Sequence, residues 1–137
     1  MSFNAIFLDP NLKDLPKEIL EWKDTVFTNN LIFGRKAFED LAQKYFEDKI
    51  VWVITKSNPY GWLHCTNKNR NLINIVTNIN DLPDNLNYTV CGGNEIFNLF
   101  ADKITEAYLI GDFVHPFKLK SEEIILTKDG VNVKKLT

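Results

Sequence analysis

Apolar and polar positions along this chain fall into blocks whose period switches between two and roughly 3.6, which predicts strands interleaved with helices. Phe3 to Leu8 reads as a short strand. Asp14-Leu15-Pro16 then opens a helix, with Asp14 as its cap and Pro16 in a first turn that does not need its missing N–H. Ile19, Leu20, Trp22, Val26 and Phe27 recur at helical spacing until Asn29-Asn30 breaks the pattern. Leu31-Ile32-Phe33 is a compact strand ending at Gly34. Arg35 to Phe46 is amphipathic again, with Phe38, Leu41, Ala42, Tyr45 and Phe46 towards the core. The unbroken run Ile50 to Ile54 suits a strand buried on both faces. Ser57 to Asn71 is polar, contains Pro59-Tyr60-Gly61 and reads as the longest loop.

Leu72 to Val76 is a further strand, and Asn80-Asp81-Leu82-Pro83 a short capped helix. Tyr88 to Cys91 is apolar and stops at Gly92-Gly93, after which Ile96, Phe97, Leu99 and Phe100 mark a helix. Glu106 to Ile110 is a strand. Glu122 to Leu126 and Val131 to Leu136 flank Lys128-Asp129-Gly130, a hairpin turn signal. Alternating strands and helices imply βαβ crossovers and a mainly parallel sheet, and the hairpin adds an antiparallel edge. No repeat or linker divides the chain, so residues 1–137 read as one domain.

Composition narrows the function classes. Apolar residues at 45% and charged residues at 25% are those of a soluble globular protein. A net charge of -2 gives no electrostatic case for nucleic acid or an acidic membrane surface. No apolar run approaches the roughly 20 residues of a membrane span, and no basic region precedes Phe3, so a cytoplasmic location is expected. Cys65 and Cys91 then read as free thiols. With His64 and His115 they show no metal-ligand spacing, so no metal is expected. Nothing sets the oligomeric state, and a monomer is the default expectation.

The candidate chemistry sits at three strand ends. Gly34-Arg35-Lys36 follows one strand and opens a helix, Thr55-Lys56-Ser57 follows a second, and Cys91-Gly92-Gly93-Asn94 follows a third. In open α/β sheets, ligands bind beyond the carboxyl ends of the strands. Paired glycines admit a bulky ligand close to the backbone, and helix N-termini offer N–H groups to anions. Two such termini, cations and hydroxyls together suit a ligand with several phosphates, such as a dinucleotide.

The order of these segments resembles the dihydrofolate reductase family. The resemblance rests on Leu15-Pro16-Lys17-Glu18, Gly34-Arg35-Lys36-Ala37-Phe38-Glu39, Val53-Ile54-Thr55-Lys56-Ser57, Val90-Cys91-Gly92-Gly93-Asn94-Glu95-Ile96-Phe97 and Ala107-Tyr108-Leu109-Ile110, and spans roughly Leu15 to Ile110. It implies an α/β, three-layer fold with a central mixed, mostly parallel sheet and a C-terminal antiparallel hairpin. It further implies NADPH as cofactor and dihydrofolate as substrate, with hydride transfer to C6 of the pterin. Glu18 falls where the family keeps its active-site carboxylate, and partial burial beside Ile19 and Trp22 would raise its pKa towards proton-handling range. Ile19, Trp22 and Leu41 fall at apolar positions around the substrate, and Ile110 at the hydroxyl that supports the carboxylate. Lys49 falls near the cation for the substrate's glutamate tail. Arg35, Lys36, Thr55, Lys56 and Ser57 fall around the cofactor's phosphates. Gly34 and Ala37 belong to the first turn of that site, and Cys91, Gly92, Gly93, Asn94, Glu95, Ile96 and Phe97 to the turn under pyrophosphate and nicotinamide.

The chain departs from the family in several places. Only Asp9 to Asp14 separate the first strand from Leu15-Pro16, where the family carries a long lid. Ile110 replaces a threonine, Ala37 a threonine and Phe97 a tyrosine. Two other readings therefore stand beside the reductase: a relative that binds nucleotide or a partner without turnover, and a same-fold pyrimidine reductase of riboflavin synthesis.

Overall fold

In the computed structural model of the chain, which describes residues 2–9, 15–42, 46–56, 71–111 and 119–137 (backbone only at 41 and 42), the apolar runs become eight strands of one sheet. These are β1 (Ser2–Leu8), β2 (Asn30–Gly34), β3 (Ile50–Ile54), β4 (Leu72–Val76), β5 (Asn87–Gly92), β6 (Ile104–Ile110), β7 (Glu122–Lys128) and β8 (Val131–Leu136). Their spatial order is β4-β3-β2-β5-β1-β6-β8-β7. Every pairing from β4 across to β6 is parallel, and β8 pairs antiparallel with both β6 and β7. The mixed, mostly parallel sheet with a C-terminal hairpin is thus the observed architecture. Asp129 (φ 51°) and Gly130 (φ 79°) make the two-residue turn that matches the strands' twist.

Successive side chains of a strand point to opposite faces. Ala5 and Ile6 accordingly enter different cores. On one face, α1 (Lys17–Val26) sets Ile19 against Ile6, Tyr108, Ile110 and Val133. On that face too, α2 (Arg35–Ala37) runs on into a π-turn over Phe38–Ala42 and covers Leu31, Phe33, Val51 and Val53. On the other face, α3 (Asn94–Phe100) packs Ile96, Phe97 and Phe100 against Phe3, Ala5, Ile32 and Val90. Helices on both faces of a sheet give three layers.

Several elements differ from their sequence expectation. The helix α1 starts at Lys17 with Pro16 as an extended N-cap (ψ 145°) and no side-chain cap. Asp14 lies outside the described residues. The second helix is shorter than its hydrophobic pattern: Phe38 and Phe46 both pack edge-on to Phe33, and the chain leaves the first of these anchors in a wide turn. Tyr45 lies outside the described residues. The strand β3 is buried on one face only. Val51 and Val53 are fully covered while Ile50, Trp52 and Ile54 are half-exposed, because the strand lies next to the edge and α2 shields just one side. Continuous burial belongs instead to the central strands β2 and β5. The short capped turn is a 3-10 helix over Ile79–Asp81, and its cap is Asn78, whose Oδ1 accepts the Asn80 N–H at 2.9 Å. Asn71, read as the end of a polar loop, is buried: its Oδ1 accepts the Lys49 N–H (3.0 Å) and its Nδ2 donates to the Phe46 carbonyl (3.2 Å). No described helix is long and apolar enough to cross a membrane. No three His, Cys, Asp or Glu side chains gather to hold a metal among the described residues.

Candidate functional site

The strand order itself opens a crevice. The adjacent strands β2 and β5 are in register at Phe33 and Gly92. Past their carboxyl ends the chain leaves in opposite directions, from β2 through α2 to β3 and from β5 through α3 to β6. Such a reversal leaves a gap between the two outgoing loops. Glycines line it on both sides. A Cβ on Gly34 would stand 3.0 Å from Ile96 Cγ1 and 3.7 Å from the Gly92 carbonyl. Gly92 has φ +129°, a conformation side chains other than glycine rarely adopt, and its peptide to Gly93 is cis. Beyond Gly93 the space is open, with nothing within 4 Å of where a Cβ would be.

The crevice widens into a cavity of about 1470 Å³. Gly34, Arg35, Lys36 and Ala37 line it from the end of β2, and Thr55 and Lys56 from the end of β3. Cys91, Gly92, Gly93, Asn94, Glu95, Ile96 and Phe97 line it from the end of β5. The three strand ends singled out in the sequence therefore meet in one place, and Ser57 lies outside the described residues. Among the described residues no side chain caps the start of α3, and its first residues, Asn94 and Glu95, line the cavity. The Lys36 and Lys56 side chains are exposed at the rim, while Arg35 shares its Nε with Glu39 at 3.3 Å. Cys91 is fully buried, and burial pushes its thiol pKa upwards, so it is an inert wall rather than a nucleophile.

The residues assigned to the substrate behave differently, and Glu18 most of all. Its side chain is 53% exposed, does not line the cavity, and pairs with Lys128 Nζ at 3.5 Å. Its pKa is lowered, first by a backbone hydrogen bond of the helix start and then by Lys128, so the expectation of a raised value is corrected. The cause is helical phase. Consecutive residues turn by about 100°. The buried stripe of α1 runs through Ile19 and Lys23, which leaves Glu18 on the flank that faces the β7–β8 hairpin. Ile19 and Ile110 are wholly buried in the core beneath α1, and Trp22 meets Tyr108 edge-on at 5.4 Å; none of the three lines the cavity. Lys49 precedes β3, so it stands at the far end of a five-residue strand, about 16 Å from the cavity end. The side chain of Leu41 lies outside the described residues.

Other cavity residues were not singled out from the sequence. Phe7, Leu8 and Asp9 enter from the end of β1, and Thr77, Asn78 and Ile79 from beyond β4. The strand-end rule that located the glycines applies equally to these two strands. Phe7 stacks on Phe97 (4.8 Å, 21°), making an aromatic wall across the cavity. Lys23 is another unexpected group: it is 5% exposed, with its amine over the rings of Phe27 (5.4 Å) and Phe46 (5.6 Å) and 2.9 Å from Asp24.

Comparison with known proteins agrees with the geometry. A dihydrofolate reductase family profile matches residues 10–113. The solved structure of dihydrofolate reductase from Enterococcus faecalis, complexed with NADP(H) and RAB-propyl, superposes with a TM-score of 0.63 at 14% identity, covering 98% of this chain and 94% of that one. No curated protein matches the sequence. With the profile spanning most of its length and the fold shared throughout, the chain belongs to the dihydrofolate reductase family.

Proposed function

We propose that this chain reduces 7,8-dihydrofolate to tetrahydrofolate with NADPH. The observation that carries the reading is the convergence of Gly34, Gly92-Gly93 and the cations Lys36 and Lys56 on one cavity that also has apolar walls. Family membership makes an oxidoreductase the coarse class. The residues present fit a dinucleotide: a Cβ-free floor at Gly93, an uncapped helix start, and lysines at the rim for phosphate oxygens. Gly34 and Gly92-Gly93 would hold the pyrophosphate, and Lys36 and Lys56 the outer phosphate. When bound, the nicotinamide supplies the hydride that pterin C6 accepts, while a proton from solvent reaches N5.

The chain's own part is binding, orientation and exclusion of water. Phe7 and Phe97 present a flat aromatic wall to ring systems, and Leu8, Leu15 and Ile96 complete an apolar lining. A carboxylate is required to hold the pterin's amidine-like edge. The resemblance gives that role to Glu18, whose carboxylate would first have to leave Lys128 and turn inwards.

The assay is loss of NADPH absorbance on adding dihydrofolate. Steady turnover supports the reading. A tight NADPH complex that never turns over supports the non-catalytic relative instead. Lys56→Ala is expected to weaken NADPH about tenfold and NADH less than twofold, since the lysine is a point charge for the extra phosphate. Titrating both nucleotides checks this, and equal weakening would remove Lys56 from the phosphate site.

A further inference from the structure

We infer that β7 is the surface through which two copies of this chain associate, edge to edge, about a two-fold axis. The strand closes the sheet on the side opposite β4, and no described strand pairs with its outer side. Such an edge presents a row of N–H and C=O groups that can template a further strand. Every residue of β7 except Leu126 is exposed. Ile124 and Ile125, at its middle, are 59% and 37% exposed. The other edge is better covered, since only Leu72 of the five residues of β4 is exposed.

The charges name the occupant. The strand reads Glu122-Glu123-Ile124-Ile125-Leu126-Thr127-Lys128, acidic at its start, basic at its end and apolar between. Antiparallel pairing of two such strands sets the acidic end of each beside the basic end of the other. Parallel pairing in register would oppose like charges, which is destabilising.

The faces match as well. Opposite residues of a strand pair point to the same side of the sheet. Glu123 is in register with Lys135, whose amine lies 5.9 Å from the centre of the Tyr108 ring, in the core beneath α1. Lys128 reaches Glu18 of α1 at 3.5 Å. Both residues therefore stand on the α1 side. In a regular strand, residues 123 and 128 would point to opposite sides. The register shift between Ile124 and Leu126 brings them to the same one.

Two copies related by an axis normal to the sheet thus place Glu123 of each against Lys128 of the other, with Ile125 and Leu126 beside the axis. Glu123 makes no ion pair within the chain among the described residues, whereas Glu122 is held by Lys134 at 3.3 Å. The Lys128 side chain is 45% exposed and an ammonium has three donors, so its contact with Glu18 leaves room for a second carboxylate. One strand pair makes a small interface, below about 1,200 Å² in total, which corresponds to weak association.

The test is sedimentation velocity on the full chain across the micromolar range, with a thermal melt on each protein to confirm folding. Wild type is expected to form a dimer with Kd of roughly 10–100 µM, weakened about fivefold in ~1 M salt. Glu123→Lys and Lys128→Glu should each weaken the dimer about tenfold or more, because each sets like charges opposite one another. Their equimolar mixture should regain a dimer holding one copy of each, since the two changes together restore opposite charges at both contacts. This recovery separates an interface from a merely structural role. Wild type that stays monomeric throughout the range overturns the inference. So does a dimer that both charge variants leave intact, or a mixture no more associated than its components. Species that grow beyond the dimer would overturn the two-fold arrangement, by showing β7 paired with the β4 edge of the next copy in an open array.

Discussion

Gly34→Val should lower NADPH affinity by roughly 100-fold or more while the protein stays folded. The cause is steric and local. At position 34 the first carbon of any side chain already stands 3.0 Å from Ile96 Cγ1, and the backbone of Gly92 and Gly93 lies 3.7 Å away. A branched side chain projects its methyl groups into the gap between β2 and β5, where the two outgoing loops part. Ile96 must move aside, and it belongs to the cavity wall. Gly34 itself has an ordinary extended backbone (φ -76°, ψ 164°), so valine is not strained there, and the loss falls on the ligand more than on the fold. Calorimetric titration with NADPH, together with a thermal melt, separates the two. Unchanged affinity would mean that the nucleotide does not enter between these strands.

Gly111→Ala is expected to destabilise the protein by roughly 3 kcal/mol, combining a left-handed backbone with an overlap. For a chain of 137 residues this corresponds to a fall in Tm of about 10 °C. Gly111 combines φ +105° with a would-be Cβ at 2.6 Å from Asp9 Cβ, and both atoms belong to backbone-anchored positions that cannot swing away. The Gly111 N–H also donates to the Asn132 carbonyl at 2.9 Å, so shifting it disturbs the link from β6 to β8. A melt within about 2 °C of wild type would show that the loop after β6 relaxes freely.

What the sequence disclosed about this site follows from how local each signal is. Gly34 and Gly92-Gly93 are legible because a glycine between a strand and a helix is a local signal, of close approach at Gly34 and of a positive φ at Gly92. The Lys128-Asp129-Gly130 turn was legible for the same reason. The burial expected of Glu18 differs from what is observed because its orientation depends on which stripe of α1 docks on the sheet, and Leu20, Trp22 and Ile19 leave several phases open until Ile6, Tyr108 and Val133 select one. The Ile50–Ile54 run was misjudged because run length does not tell how many layers cover a strand. The place of Asp9 in the cavity wall is not legible in the sequence, because it comes from pairing with Ile110 and packing on Gly111, about a hundred residues further on. The family match covers residues 10–113, while the ion pair from Glu18 to Lys128 joins that span to the hairpin beyond it.

The most direct measurement of the central claim is the fate of a hydride. NADPH deuterated at C4 of its reduced ring is mixed with dihydrofolate and this protein, and the folate product is analysed by mass spectrometry and proton NMR. The expected product is tetrahydrofolate carrying one deuterium at C6, formed in step with NADPH consumption and absent without the protein. Saturable NADPH binding with no label transferred to folate would contradict it.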